Sequence, residues 1–143
     1  WFYTSDGTVI LQRRSLQKKS MPGRLTTTVS GHVESGADYF DTAVKETEEE
    51  AGIAIDASKL IDLGKRYYDS THGMRWAGRF IYPYDGALDA LKTEEGEGDG
   101  FEAMSTDAVR RIIAATPEQL TPFVVGEYGR DMLDKIDSLV NKK

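Results

Sequence analysis

Three carboxylates in the run TAVKETEEEAGI, Glu46, Glu49 and Glu50, stand at i, i+3 and i+4, so a helix turns them toward one arc while Glu48 points elsewhere. Like charges at that spacing repel by a few tenths of a kcal/mol per pair unless something positive sits between them. A hard cation with oxygen ligands is the natural occupant. The basic counterpart lies upstream, where Arg13, Arg14, Lys18, Lys19 and Arg24 fall in one segment with no acid among them. Downstream, residues 85–107 hold eight acids against the single Lys92. One basic loop and two acidic segments suit a metal together with a polyphosphate, each sign meeting its opposite.

Composition removes several other classes. There is no cysteine, so neither a disulfide framework nor a thiol nucleophile is available, and a cytoplasmic setting is compatible. The net charge of -6 argues against general affinity for a nucleic-acid polymer. No apolar run is long enough to span a bilayer, so no membrane partner is expected. At 143 residues the chain is read as one domain over residues 1–143. It starts at Trp1 and enters a strand at once, which reads as an N-terminal truncation.

The elements that must position these groups follow from local pattern. Trp1 to Thr4 and Thr8 to Gln12 read as strands joined by Ser5-Asp6-Gly7, and Leu25 to Ser30 as a short strand after Pro22-Gly23. The carboxylates belong to a helix capped by Asp38, with Ser35 as competitor, and stopped at Gly52. Its core stripe is Phe40, Val44, Thr47 and Ala51, with Ala43 at the edge. Leu60 to Tyr68 and Met74 to Tyr82 form a second strand pair joined around residues 70–73. The glycine-rich acidic run 85–100 is expected to be a mobile loop, followed by a strand from Phe101 to Met104. A helix from Asp107 to Ala115, capped by Ser105 or Thr106, and one final helix from Thr121-Pro122 to Leu139 complete the chain. This order implies an α+β fold with a mixed sheet between helices.

The stretch from Gly31 to Ile53 resembles the Nudix box. It matches at Gly31, Glu46, Glu49, Glu50, Gly52 and Ile53, and departs at Ala37 where a glutamate is expected, at Lys45 for arginine and at Thr47 for an aliphatic residue. The segments Gln12 to Gly36 and Ala115 to Val125 are similar to isopentenyl-diphosphate isomerases, a branch of the same superfamily. In those enzymes a cysteine precedes the Gly-His pair and transfers the proton; Ser30 stands there in this chain. A hydroxyl is far less acidic than a thiol, and the helical carboxylates are kept, so both departures favour a hydrolase.

The resemblance implies a Nudix fold and a hydrolase that cleaves a diphosphate linkage by water attack on phosphorus. The substrate the resemblance implies is a small nucleotide-linked diphosphate, nucleoside diphosphate derivatives being the family's common substrates. Glu46, Glu49 and Glu50, the Gly31 carbonyl and the loop residue Glu95 would hold Mg²⁺, with Mn²⁺ as the alternative ion. The general base is Glu49 or Glu97. Substrate contacts are assigned to Arg13, Arg14, Arg24, His32 and Glu34; strand alternation lets only one of Arg13 and Arg14 reach phosphate. His32 matches a metal-ligand histidine of the isomerases, the alternative being a histidine held by a backbone carbonyl. Trp76, Tyr67, Tyr68 and Tyr82 can stack on a base or fill the core. An isomerase and an inactive ligand-binding or sensor domain remain as other readings. The assembly is either a monomer or a homodimer.

Overall fold

The computed structural model describes residues 1–69 and 74–142, so the expected turn at 70–73 lies outside the described residues. Its architecture follows from alternation along the first strands. Trp1, Tyr3, Val9 and Leu11 are buried on one side, Phe2 and Ile10 on the other, so the sheet needs cover on both faces. The sheet contains β1 (Phe2–Tyr3), β2 (Thr8–Arg14), β3 (Leu25–Thr26), β4 (Ile61–Tyr68), β5 (Arg75–Pro83) and β6 (Gly98–Ser105). Helices α2 (Thr106–Ala115), α3 (Pro122–Val125) and α4 (Glu127–Val140) cover the first side through Val109, Val124, Met132, Leu133 and Ile136. Helix α1 (Tyr39–Ala51) covers the second, where Ala51 packs with Phe2, Ile10, Tyr82 and Leu91.

Strand β2 is shared most widely. Antiparallel β6 runs along one edge, from Thr8↔Ser105 to Arg14↔Gly98, while β1 and β3 divide the other at Phe2↔Ile10 and Gln12↔Thr26. Thr28 fills the gap between them: its hydroxyl accepts from the Phe2 amide at 2.8 Å and donates to the Ile10 carbonyl. A buried hydroxyl thereby relays the ladder bond between those two backbone groups. The strand expected over 25–30 therefore shortens to Leu25–Thr26, with Thr27 and Thr28 still buried. Strand β1 pairs in parallel with β5, and β5 in antiparallel with β4, giving a mixed sheet.

Two further expectations change. Residues 85–100 are mostly exposed but carry local structure: Leu91 is buried, Leu88–Ala90 makes a 3-10 turn, the Lys92 amide donates to the Ala51 carbonyl at 2.9 Å, and β6 already begins at Gly98. The orphan carbonyl at the end of α1 thus finds its partner in this segment. The single final helix is two, broken at Gly126, whose backbone is extended. The second crosses the first closely at Gly129, where a Cβ would lie 1.8 Å from the Val124 carbonyl oxygen. Gly129→Ala is therefore expected to destabilise the protein by at least about 1–3 kcal/mol, read as a lower urea midpoint; an unchanged midpoint would contradict that close approach.

Candidate functional site

Helix α1 begins where Asp38 accepts from the Asp41 amide at 3.0 Å and ends at Gly52, which takes the left-handed conformation at φ 70°. Thr47 and Ala51 are fully inside, and Phe40 meets Phe80 ring to ring at 6.1 Å. Thr47 serves at a position where an aliphatic side chain is usual because its hydroxyl donates to the Ala43 carbonyl at 2.6 Å, leaving the methyl to pack. The inward stripe being filled, Glu46 and Glu50 project beside it and Glu49 further out.

Glu50 is the half-buried member. One carboxylate oxygen accepts from the Ser30 amide at 3.0 Å. Even so its pKa is raised to about 7, first by desolvation and then by the charges of Glu46, Glu94 and Glu97. Glu46 is also raised, by desolvation, Glu49 and Glu94, against lowering by Lys45 and His32. Gly31 lies directly on it: a Cβ there would come 2.6 Å from the Glu46 carboxyl carbon. Glu49 is half exposed, with the Lys45 ammonium 3.9 Å away.

The acidic loop is shaped by a tight turn. The amide of Glu97 donates to the Glu94 carbonyl at 3.1 Å, and Gly96 is left-handed at φ 78°. The ends of such a turn approach each other and its middle points away. Glu94 and Glu95 are both exposed; the charge of Glu94 is among the lesser causes that raise Glu46 and Glu50, and that of Glu95 is not. The sequence offers no signal for Glu94, because only the folded turn at Gly96 sets which loop charge lies nearer the helical carboxylates. Glu97 accepts from the Lys18 ammonium at 2.6 Å.

The basic residues are mostly occupied. Arg13 donates to Glu102 and to the Gly23 carbonyl, both at 2.6 Å. It alternates with Gln12 and so lies on the Leu11 side, away from α1. Arg14 folds back on its own loop, donating to the Ser20 and Met21 carbonyls. Arg24 forms no ion pair among the described residues. His32 and Glu34 are exposed beside Gly31, and the Glu34 carbonyl accepts from Ala37 in the turn before α1. Of the aromatics, Tyr68 and Tyr82 are core, while Tyr67 and Trp76 are exposed.

The NUDIX domain family matches residues 1–123, and the chain belongs to the Nudix family. That membership places it in the pyrophosphohydrolase class, whose enzymes generally use divalent cations such as Mg²⁺. An isopentenyl-diphosphate Delta-isomerase of Escherichia coli is 29% identical over 87% of this chain and 69% of its own length. An uncharacterized Nudix hydrolase of Pseudomonas aeruginosa is 36% identical over 65% of this chain; the chain spans 53% of that relative. Among solved structures, the Deinococcus radiodurans protein DR0079 superposes with a TM-score of 0.74 at 21% identity, over 94% of this chain and 78% of that one. The NUDIX domain of Shewanella oneidensis NrtR, solved with ADP ribose, gives 0.68 at 10% identity, over 96% and 83%. At these identities the structural likeness speaks to the fold.

The donor set fits a hard divalent ion in chemistry: all oxygen, mutually repelling, and partly withdrawn from water. Among the described residues no group of three or more such side chains is already gathered closely enough to hold an ion. The Glu50 shift gives a direct expectation. A carboxyl with an ordinary value of 4.5, raised to about 7 on folding, adds stability that is full below the lower value and lost as pH rises through the upper one. Metal-free protein should lose melting temperature between about pH 5 and pH 8, and Glu50→Gln should lose less. Equal slopes in the two proteins would show that Glu50 does not carry the effect.

Proposed function

We propose that this chain hydrolyses a diphosphate linkage in a nucleoside diphosphate derivative. The observation that supports it most is Glu50, held half-buried on the Ser30 amide among Glu46, Glu94 and Glu97 with its pKa raised to about 7. Such a cluster is costly unless it meets positive charge. Glu46, Glu49, Glu50 and the Gly31 carbonyl would hold Mg²⁺, or Mn²⁺ as the alternative, and Glu94 takes the place assigned to Glu95. The ion, when bound, would neutralise phosphate charge and lower the pKa of bound water.

The protein's own groups do the rest. A water oxygen forms the new bond to phosphorus, the bridging P–O bond breaks, and its electrons leave with the departing phosphate. The water proton passes to Glu49, which is half exposed and open to solvent. Glu97 is the alternative base, available once Lys18 moves from it to a phosphate oxygen. Arg24 replaces Arg13 and Arg14 as first phosphate contact, because both of those guanidiniums are already bound. His32 and Glu34 flank the entrance at Gly31.

The identity to an isomerase supports a second reading, in which the carbon skeleton of a small diphosphate is rearranged. Ser30 opposes it, since its hydroxyl lacks the acidity of a thiol. Phosphate release from a panel of nucleotide diphosphate compounds with Mg²⁺ separates the two. Glu49→Gln and Glu50→Gln should each slow turnover roughly 10²- to 10⁴-fold. Turnover untouched by both sinks the assignment; an allylic isomer of isopentenyl diphosphate favours the isomerase; binding without any turnover favours a sensor. Gly31→Ala, which pushes Glu46 aside, should weaken Mg²⁺ binding by calorimetry about tenfold or more. Unchanged affinity would remove Gly31 and Glu46 from the ion's surroundings.

A further inference from the structure

The exposed aromatics sit on the α1 side of the sheet. Register pairs Tyr67 with Trp76 and Lys65 with Gly78, two rungs apart, so all four residues share one face. Tyr67 and Trp76 are 48% and 62% exposed, with ring centroids 5.2 Å apart, and neither is buried by α1. The rung of Lys65 and Gly78 forms the floor of a cavity of about 240 Å³ lined by Asp38, Tyr39, Asp62, Lys65, Gly78 and Phe80, among others. There the Lys65 ammonium lies 4.5 Å from the centre of the Tyr39 ring. Gly78 lets the Tyr39 ring pack directly on the strand: a Cβ would stand 2.6 Å from Tyr39 Cδ1.

This cavity opens at the start of α1, and the carboxylates stand toward its end. Tyr39, Glu46 and Glu50 are separated by seven and eleven residues, which brings all three to nearly the same side of the helix. At 1.5 Å per residue the cavity lies roughly 10 to 16 Å from the carboxylates along the axis. An extended ligand with its phosphates at Glu46 and Glu50 therefore reaches Tyr39 and Lys65 over that length, and the aromatic pair two strand residues, roughly 7 Å, further on.

Resting on the hydrolase reading for the position of the phosphates, we propose that Trp76 and Tyr67, with Lys65 and Tyr39 behind them, form the subsite for a nucleobase of the substrate. A planar π system stacks on the outer face of Trp76 in a sequence-tolerant way. Asp38 and Asp62 offer acceptors and Lys65 a donor at the cavity, suited to the edge of a base and not to an aliphatic chain. A second copy of this chain on the same aromatic pair is the competing occupant, and the concave, charged cavity two rungs away favours the small polar ligand.

The test uses binding, so that it stands apart from turnover. The four methylene-bridged nucleoside diphosphates, which cannot be hydrolysed at the bridge, are titrated with Trp76 fluorescence and calorimetry as readouts. At least one should quench the emission of exposed Trp76, leaving that of buried Trp1, and Trp76→Ala should weaken its binding about tenfold or more. Trp76→Phe should recover most of that loss, and inorganic pyrophosphate should bind parent and Trp76→Ala alike. Quenching without hydrolysis of any panel compound would leave the subsite standing while the hydrolase reading fails. No quenching by any of the four, equal losses for pyrophosphate, or a Trp76→Ala protein whose solution mass differs from the parent's would overturn the subsite.

Discussion

Repulsion among the carboxylates around Glu50 is the constraint on which the site depends. Left in water, Glu46, Glu49, Glu50, Glu94 and Glu97 would separate; here desolvation and the neighbouring charges hold the Glu50 carboxyl neutral to about pH 7. Each flanking element serves that crowding. The chain after β3 presents the Ser30 amide, Gly31 removes the Cβ that would displace Glu46, and Lys92 ties the acidic segment to the end of α1. The single Ser30 hydrogen bond lowers the Glu50 pKa but is outweighed by desolvation. A cation between the carboxylates would act on the same energy with opposite sign, which is why the cluster is informative before any ion is placed in it.

The sheet layers were legible in the sequence because strand alternation and helix caps are local. Trp1, Tyr3, Val9 and Leu11 against Phe2 and Ile10 announce a two-sided sheet, and Asp38 and Gly52 bound α1. What stayed hidden depends on non-local closure. Nothing local says that Thr28 will relay a ladder bond between β1 and β2, shortening β3. Glycines in the run 85–100 suggest mobility, yet Gly96 and Gly98 instead allow a tight turn and a buried strand start. The same turn places the charge of Glu94 among those that raise Glu46 and Glu50. Among the arginines, residue type pointed to phosphate, while partners distant in sequence, Glu102 above all, had already taken the guanidinium.

The two kinds of relative, isomerase and hydrolase, meet at Ser30. Its contribution to the site is the backbone amide that holds Glu50, and an amide is indifferent to the side chain it carries. A cysteine or a serine can occupy that place without altering the scaffold, so one arrangement of strand, turn and helix can present either a proton-transferring thiol or an inert hydroxyl. The side chain at this position can then change the chemistry while the carboxylate cluster remains.

Helix α1 also acts as a ruler. Its N-terminal turn packs on β5 through Tyr39 and Gly78, and its C-terminal turn carries Glu50. Because the helix is rigid and the sheet holds it at both ends, through Phe40 against Phe80 and Ala51 within the second apolar layer, the spacing between cavity and carboxylates is fixed by the backbone and not by mobile side chains. A diphosphate carrying only a short appendage would fill one end and leave the aromatic pair in water. A ligand of roughly 10 to 16 Å engages carboxylates and cavity at once, and one roughly 7 Å longer also covers the aromatic pair, so the helix would select for length as well as for charge.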